Sequence, residues 1–433
     1  MGTIESILLI TAALLVLFGL GQGVAFAMVL VGVIGLFTII GPQALNAVGT
    51  VLYQSASNPV LVSMPLFIFM SELLVLGGVS TNLYKGLTPW LGRLPGGLLH
   101  SNIGACAIFA AISGSSPATA ATIGTVAIPE LEKRRYDPEM MLGSICGGGT
   151  LGILIPPSIT LVIYCSMVGE SVGRQFAAGV IPGIMLAGLF MLYIMVWAML
   201  NPKAAPPIIH SSWKDSFVAL LRILPAVILI LMVLGTMFAG WATATEASAI
   251  GVVGSFLLGL FYRTINRQSF KTAILNTAVT TCSIMIIFVG ANFIAILIAY
   301  AGVPLKMAGF VTSLAVPPLV IMLAIYIIYL ILGSFFDPMS MMVLTLPILM
   351  PVIKTLGFDP IWFGIVLVIL IEAGMLTPPV GLNLYVMQSI APKYSFEQVV
   401  KGSMPFFLMQ LAGLAILTAF PSIATWLPSI MFD

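Results

Sequence analysis

From Pro95 to Pro129 almost every residue is Gly, Ala, Ile, Leu or a small polar side chain, and Ile112-Ser113-Gly114-Ser115-Ser116-Pro117 stands in the middle of the run. One crossing of the ~30 Å hydrocarbon core takes about 20 residues. The run is too long for one crossing, and the polar cluster breaks it at its centre. Arg93 precedes it and Lys133-Arg134-Arg135 closes it. Ser116-Pro117 has the form of a helix N-cap followed by proline at the first helical position. The pattern therefore predicts two half-helices meeting at a tip, a re-entrant hairpin over 96–133 with both ends on one face. Lipid tolerates a bare backbone tip only where protein or a water-filled cavity surrounds it. One long helix kinked at Pro117 is the alternative left open.

The stretch has an echo. Gly333-Ser334-Phe335-Phe336-Asp337-Pro338 again interrupts an apolar run, with Asp337-Pro338 as cap and first-turn proline, 221 positions after Ser116-Pro117. Asp137-Pro138 recurs as Asp359-Pro360, Pro129 as Pro351, Gly152 as Gly374 and Pro156-Pro157 as Pro378-Pro379, all at one offset of 222. Four coincidences at one spacing indicate duplicated halves. The halves are 1–200 and 216–433, joined by a polar linker at 201–215.

With 60% hydrophobic and 7% charged residues, 433 residues cannot form a soluble domain. The expected class is an all-α polytopic membrane protein in a lipid bilayer. Its bases sit singly in loops rather than as a patch, which argues against a nucleic-acid partner. Cys106, Cys146, Cys165 and Cys282 lie in apolar segments without metal-ligand spacing, as core cysteines do. Glu5 and the absence of any base before the first apolar run mark that run as a retained span rather than a signal peptide.

Crossings are predicted near 5–20, 24–40 and 58–79, then an amphipathic stretch from Thr81 to Leu94 and the first hairpin. A crossing over 138–169 follows, broken at Gly147-Gly148-Gly149 and Pro156-Pro157, and another reaches Asn201. The second half repeats the order. Crossings at 216–238, 244–262 and 272–300 lead to an amphipathic stretch after Pro304, then a hairpin over 316–355. A broken crossing over 360–390 and a last crossing at 404–427 complete it. Five crossings per half is an odd number, so the second repeat must be inverted. If Lys133-Arg134-Arg135 faces the cytoplasm, so do Lys85, Arg93, Lys203, Lys214, Arg263, Arg267, Lys271, Lys393 and Lys401. Arg174, Lys306 and Lys354 then face out, and Arg222 falls inside a span. The positive-inside rule places both termini outside.

Inverted repeats with broken helices suit secondary transport, with sites near the midplane. A half-helix ending inside the membrane leaves up to four carbonyls or amides unpaired, with about half an elementary charge at each end. Carbonyls with Ser and Thr hydroxyls suit a hard cation such as Na⁺, and amide ends suit an anionic substrate. In the first half the sodium candidates are Ser113, Ser115, Ser116 and Thr119, facing the break with Gly148, Gly152 and Pro156. In the second they are Gly333, Ser334, Asp337 and Ser340, facing Gly374, Thr377 and Pro379. Glu72, Glu246, Asp337 and Glu372 are carboxylates at predicted membrane depth, where such groups are functional candidates by default. Asp337 reads equally as a cap or an ion ligand, and Glu372 as structural or functional. Glu246 reads as a hydrogen-bonded packing residue and Glu72 as structural. His100 and His210 read as interface residues. No metal other than sodium and no organic cofactor is expected.

Met64-Pro65-Leu66-Phe67-Ile68-Phe69-Met70, Ala107–Ser116, Ile128-Pro129-Glu130, Ile155-Pro156-Pro157-Ser158, Thr245-Glu246-Ala247 and Leu376-Thr377-Pro378-Pro379-Val380-Gly381 together resemble the large membrane subunit of TRAP (tripartite ATP-independent periplasmic) transporters. The resemblance runs over essentially the whole chain. It implies a sodium-driven importer of a small organic acid, working as an elevator whose mobile domain carries both hairpins and both broken helices. It also implies two partners, a periplasmic substrate-binding protein and a small four-helix membrane subunit, here expected as a separate chain. Ser115, Ser116 and Asn383 are the candidates to contact substrate.

Rival classes fit less well. An intramembrane serine protease needs a base beside its serine, and no histidine lies in the predicted hairpin core. A transferase using Mg²⁺ needs clustered acids. A passive channel has no use for two inverted copies with paired breaks. A proton-coupled transporter of the same superfamily, acting without a binding protein and with Asp337 as carrier, is the alternative.

Overall fold

The computed structural model describes residues 3–201, 204, 212–314 and 316–432, and among these there is no strand. Lys203 and His210 lie outside the described residues, as does most of the 201–215 linker. The first half comprises α1 (Thr3–Gly19), α2 (Val24–Ile40), α3 (Ala44–Ala56), α4 (Pro59–Leu76), α5 (Val79–Leu91), α6 (Leu98–Ser113), α7 (Ser116–Lys133), α8 (Pro138–Gly149), α9 (Ile159–Val168) and α10 (Val172–Leu200). The second comprises α11 (Trp213–Phe238), α12 (Ala244–Phe261), α13 (Arg267–Tyr300), α14 (Val303–Ser313), α15 (Pro318–Gly333), α16 (Pro338–Thr355), α17 (Pro360–Gly374), α18 (Leu382–Ile390), α19 (Phe396–Ala419) and α20 (Ser422–Phe432). Lengths recur with order: α6 and α15 have 16 residues each, α7 and α16 have 18.

Local chemistry sets the helix starts. Asp137 accepts the Met140 amide at 2.9 Å and Asp359 accepts that of Ile361 at 2.7 Å, each followed by proline in the first turn. The first hairpin departs from expectation by one residue. The N-cap of α7 is Ser115, with extended φ −143° and ψ 126°, and Ser116 is already helical. Ser115 and the cap Asp337 are then 222 apart, the offset of the other pairs.

The crossing predicted over 24–40 is α2, and the chain then turns at Gly41, whose φ is +65°, through a short 3-10 turn into α3, which was not expected. Three boundaries differ. The glycines 147–149 do not break their helix, which runs through Gly149 into a 3-10 turn, Thr150–Ile153. A Cβ at Gly148 would sit 3.0 Å from Cys106 Cβ, and one at Gly149 would sit 2.7 Å from Ala120 Cβ. These glycines let α6 and α7 approach, and the gap lies at 154–158. Helix α13 starts earlier than expected, at Arg267, behind a capping box formed by Asn266 and Ser269. The last crossing begins at a Ser395/Gln398 capping box and ends at Ala419, where Pro421 forces a turn into α20.

Among the described residues eight helical segments are apolar and long enough to cross a membrane, with Val24–Ala56 as one of them and the hairpin arm Pro338–Thr355 as another. Helix α17 is buried at every position from Ile361 to Gly374, as expected of a helix apolar all round. It packs among α9, α10, α15, α16 and α19. Helix α13 lies against α2 and α4, and α12 against α4. Contacts gather the polar ends of the helices. At one end Arg93 donates to Ser216 Oγ at 2.7 Å, and Glu132 accepts from Lys393 (3.4 Å) and from the Tyr394 hydroxyl (2.7 Å). At the other, Asn58 donates to Ser166 Oγ at 2.9 Å and Phe238 meets Phe432 edge-on.

Candidate functional site

The first tip is a compact hydroxyl cluster. Gly114 ends α6 in the left-handed region, φ +58°, with its amide on Ala110 O. Ser113 Oγ and Thr119 Oγ1 are 2.5 Å apart, and Thr119 Oγ1 donates to Ser115 O at 2.8 Å. The Thr119 amide reaches the same carbonyl at 3.0 Å. This tip presses on the gap of its own half. A Cβ at Gly152 would lie 2.7 Å from the carbonyl carbon and oxygen of Ser115, so only glycine allows the two backbones to meet. Gly114 faces Pro157 O and the Ile159 amide. Within the gap Ser158 Oγ donates to Ile153 O at 2.6 Å and caps α9, and Pro156-Pro157 is a cis bond. Ser113, Ser116, Thr119, Gly152 and Pro156 are buried, and Ser115 is partly so. Gly148 stands apart from them in α8, against α6.

The second tip repeats the contact with different chemistry. Gly333 and Gly374 meet backbone to backbone: a Cβ on Gly374 would lie 2.5 Å from Gly333 Cα. Ser334 O accepts the amides of Val380 at 3.0 Å and Gly381 at 3.4 Å, so the tip carbonyl caps the second gap directly. Asp337 Oδ2 accepts the amides of Met339 (3.1 Å) and Ser340 (3.0 Å), which is N-capping of α16. Thr377 Oγ1 donates to Gly374 O at 2.8 Å, closing the end of α17. Pro378-Pro379 is again cis, and Pro378, Pro379 and Val380 are exposed where their first-half counterparts are buried.

One side chain joins the two units. Glu372, 1% exposed and two residues before the end of α17, accepts the Ser116 hydroxyl of the first tip. The Ile153 backbone amide faces the same carboxylate from the first gap. Its Oε2 has no hydrogen-bond partner among the described residues. Asn383, at the start of α18, is fully buried with both amide atoms unpartnered among them, and Ser340 Oγ is buried and unpartnered as well. The sequence marked Glu372 as a carboxylate at depth, but nothing local connects it to Ser116, 256 positions away.

The other sequence candidates separate from this centre. Glu246 is hydrogen-bonded as expected, in a capping box with Thr243 at the start of α12, but it is exposed rather than packed. Glu72 accepts from Asn276 Nδ2 at 2.9 Å on an exposed face. His100 is buried rather than at an interface: its Nε2 lies 2.7 Å from Pro95 O because the chain doubles back through Gly96 and Gly97. Cys106, Cys146 and Cys165 are buried and free, whereas Cys282 is exposed. Among the described residues no group of three His, Cys, Asp or Glu side chains could hold a metal.

Paired hairpins seated on paired helix breaks in an apolar helical bundle define a secondary-transporter fold. The same fold occurs in a solved transporter, YdaH of Alcanivorax borkumensis, with a TM-score of 0.66 and 14% identity over 89% of this chain and 88% of that one. Residues 11–423 match the family model of the DctM component of tripartite ATP-independent periplasmic transporters. The C4-dicarboxylate TRAP transporter large permease protein DctM of Pseudomonas aeruginosa is 32% identical over 92% of this chain and 93% of its own. The isethionate TRAP transporter permease protein DctMQ of Oleidesulfovibrio alaskensis is 31% identical over 90% of this chain and 62% of its own length. The chain belongs to the DctM family, the large permease component of TRAP transporters, and is a transporter subunit rather than an enzyme.

Proposed function

We propose that this permease imports a small organic acid, handed over by a periplasmic binding protein and driven by sodium, with both hairpins and both broken helices moving as one elevator body. The observation that carries this reading is the seating of each tip, backbone to backbone, on the gap of its own half. At such a junction the carbonyls of helix ends and tip hydroxyls converge, the donor set a hard cation takes. One sodium would lie among Ser113, Ser115, Ser116, Thr119, Gly152 and Pro156, with Gly148 behind them. A second would lie among Gly333, Ser334, Gly374, Thr377 and Pro379, with Asp337 holding the tip. Ser115, Ser116 and Asn383 are the proposed substrate contacts, and the buried Asn383 has both amide atoms without a partner among the described residues. The relatives' names refer to C4-dicarboxylate and isethionate, both small organic anions. The amide end of α7, which no side chain caps, suits such a group.

Partners and orientation follow the same reading: a small four-helix subunit on a separate chain, two inverted repeats, and both termini periplasmic in a bacterial inner membrane. The test is uptake into proteoliposomes containing both membrane subunits, with and without a loaded binding protein and with and without a sodium gradient. Uptake is expected only when binding protein and sodium are both present. Robust transport by this chain alone, or transport driven by a proton gradient without sodium, contradicts it. The buried Glu372 carboxyl group with one unpartnered oxygen is the feature that favours the proton-coupled alternative, whereas Asp337 is only partly buried and caps α16 through Oδ2.

A further inference from the structure

Away from the hairpin tips, a cavity of about 530 Å³ opens between α5, the base of α7 and α11. Its size is that of a small-ligand pocket and too large for a single ion. Lys85, Arg134 and Arg222 line it, with Glu130 as the one carboxylate. None of these four forms a salt bridge among the described residues. The wall also carries Tyr84, 2% exposed, whose hydroxyl has no hydrogen-bond partner among the described residues. Three cations against one anion, with a buried donor left over, describe a place for negative charge. Arg222 gives its depth. It interrupts an apolar helix, and on that helix Leu221 is 63% exposed and Ile228 52%, so the mouth continues onto a surface that faces lipid chains.

We propose that this cavity binds the phosphate headgroup of an anionic membrane phospholipid. Lys85, Arg134 and Arg222 surround the phosphate, Tyr84 donates to it, and the acyl chains lie along Leu221 and Ile228 of α11. Basic pockets between membrane helices take acidic headgroups for this reason: the charge is met while the chains stay in hydrocarbon. Arg222 has a place in a span because its partner comes from the bilayer. The bound lipid bridges α11 to the base of the first hairpin.

The test is native mass spectrometry of the purified full chain titrated with short-chain phosphatidylglycerol, phosphatidylcholine and inorganic phosphate. Wild type is expected to take one phosphatidylglycerol at least about ten-fold more tightly than phosphatidylcholine. Arg134→Gln with Arg222→Gln should weaken it about twenty-five-fold, at roughly five-fold per base. Tyr84→Phe, which keeps the ring, should weaken it about five-fold. Lys401→Gln, a surface base paired with Glu397 elsewhere, should change nothing. Arg134 and Arg222 are exposed, so their neutral variants should keep the wild-type melting temperature. Equal binding of the two phospholipids, or unchanged affinity in the folded variants, overturns the proposal. Inorganic phosphate binding as tightly as phosphatidylglycerol overturns the lipid as occupant.

Discussion

Replacing Gly374 by alanine tests whether the second tip must sit on its gap. The new Cβ would lie 2.5 Å from Gly333 Cα, 2.7 Å from its carbonyl carbon and 3.0 Å from its oxygen. All three are backbone atoms, which cannot rotate away as a side chain can. Relief requires the tip to lift by about 1 Å, given the ~3.5–4.0 Å at which carbon atoms pack. That shift also stretches the bonds from Val380 and Gly381 to Ser334 O. Overpacking of this kind costs about 1–3 kcal/mol, so the sodium concentration for half-maximal transport should rise by roughly 5- to 150-fold. Gly333→Ala should be milder, since its nearest backbone contact is 2.9 Å. Gly188→Ala in α10, with nothing within 4 Å, is the control and gains about 1 kcal/mol of helix propensity. The assay is initial uptake rate against sodium concentration in the reconstituted complex, with melting temperature measured alongside. A folded Gly374→Ala complex with wild-type sodium dependence would refute the reasoning.

Three further outcomes are expected. In a Cys282→Ser background, cysteines at Arg135 and Arg267 should label only from the cytoplasm and one at Lys354 only from outside; labelling of both hairpin bases from one face would remove the inverted repeat. Asp337→Asn should keep the sodium dependence within about two-fold, because Asn caps as well as Asp, whereas Asp337→Ala should lose about 1 kcal/mol in a thermal melt; a large sodium effect in the Asn variant would make the carboxylate a ligand. Ser116→Ala and Glu372→Gln should couple by roughly 0.5–3 kcal/mol in a double-mutant cycle on stability, and additive losses would mean that their hydrogen bond carries no energy.

Legibility followed distance along the chain. Caps are local, so Asp137-Pro138, Asp359-Pro360 and Asp337-Pro338 could be read directly, and with them the starts of α8, α17 and α16. Ser115 and Ser116 are chemically the same residue, and only backbone angles decide which one caps. Glycine has two uses that a sequence does not separate. At Gly147–Gly149 it admits Phe406, Cys106 and Ala120, all distant in the chain, and the helix continues unbroken. Helix α3 was hidden because Asn46, Thr50 and Gln54 dilute its apolar signal. Glu246 looked packed because its apolar helix follows at once, yet it lies in the first turn of that helix, after an exposed turn at 240–243. His100 was missed because its burial depends on a loop turned by Gly96 and Gly97.

The link between Ser116 and Glu372 bears on how the tips can move. If each hairpin opened separately, as a pair of gates, the first tip would part from α17 whenever it lifted. Glu372 would then lose the Ser116 donor while remaining enclosed by α17's own neighbours, since every residue from Ile361 to Gly374 is buried. Stripping a donor from a buried carboxylate costs more than the 1–3 kcal/mol typical of a neutral group, and Oε2 has no other bond to fall back on among the described residues. The first gap reinforces the constraint, because Gly152 locks Ser115 to the same turn that presents the Ile153 amide to Glu372. The second tip is tied to α17 in turn through Gly333 and Gly374. Displacing either tip by several ångströms therefore carries α17 with it, and α17 carries the other tip. In the elevator motion proposed above these junctions would stay closed while the assembly moves as one body against the remaining helices, and a pair of gates would have to break them.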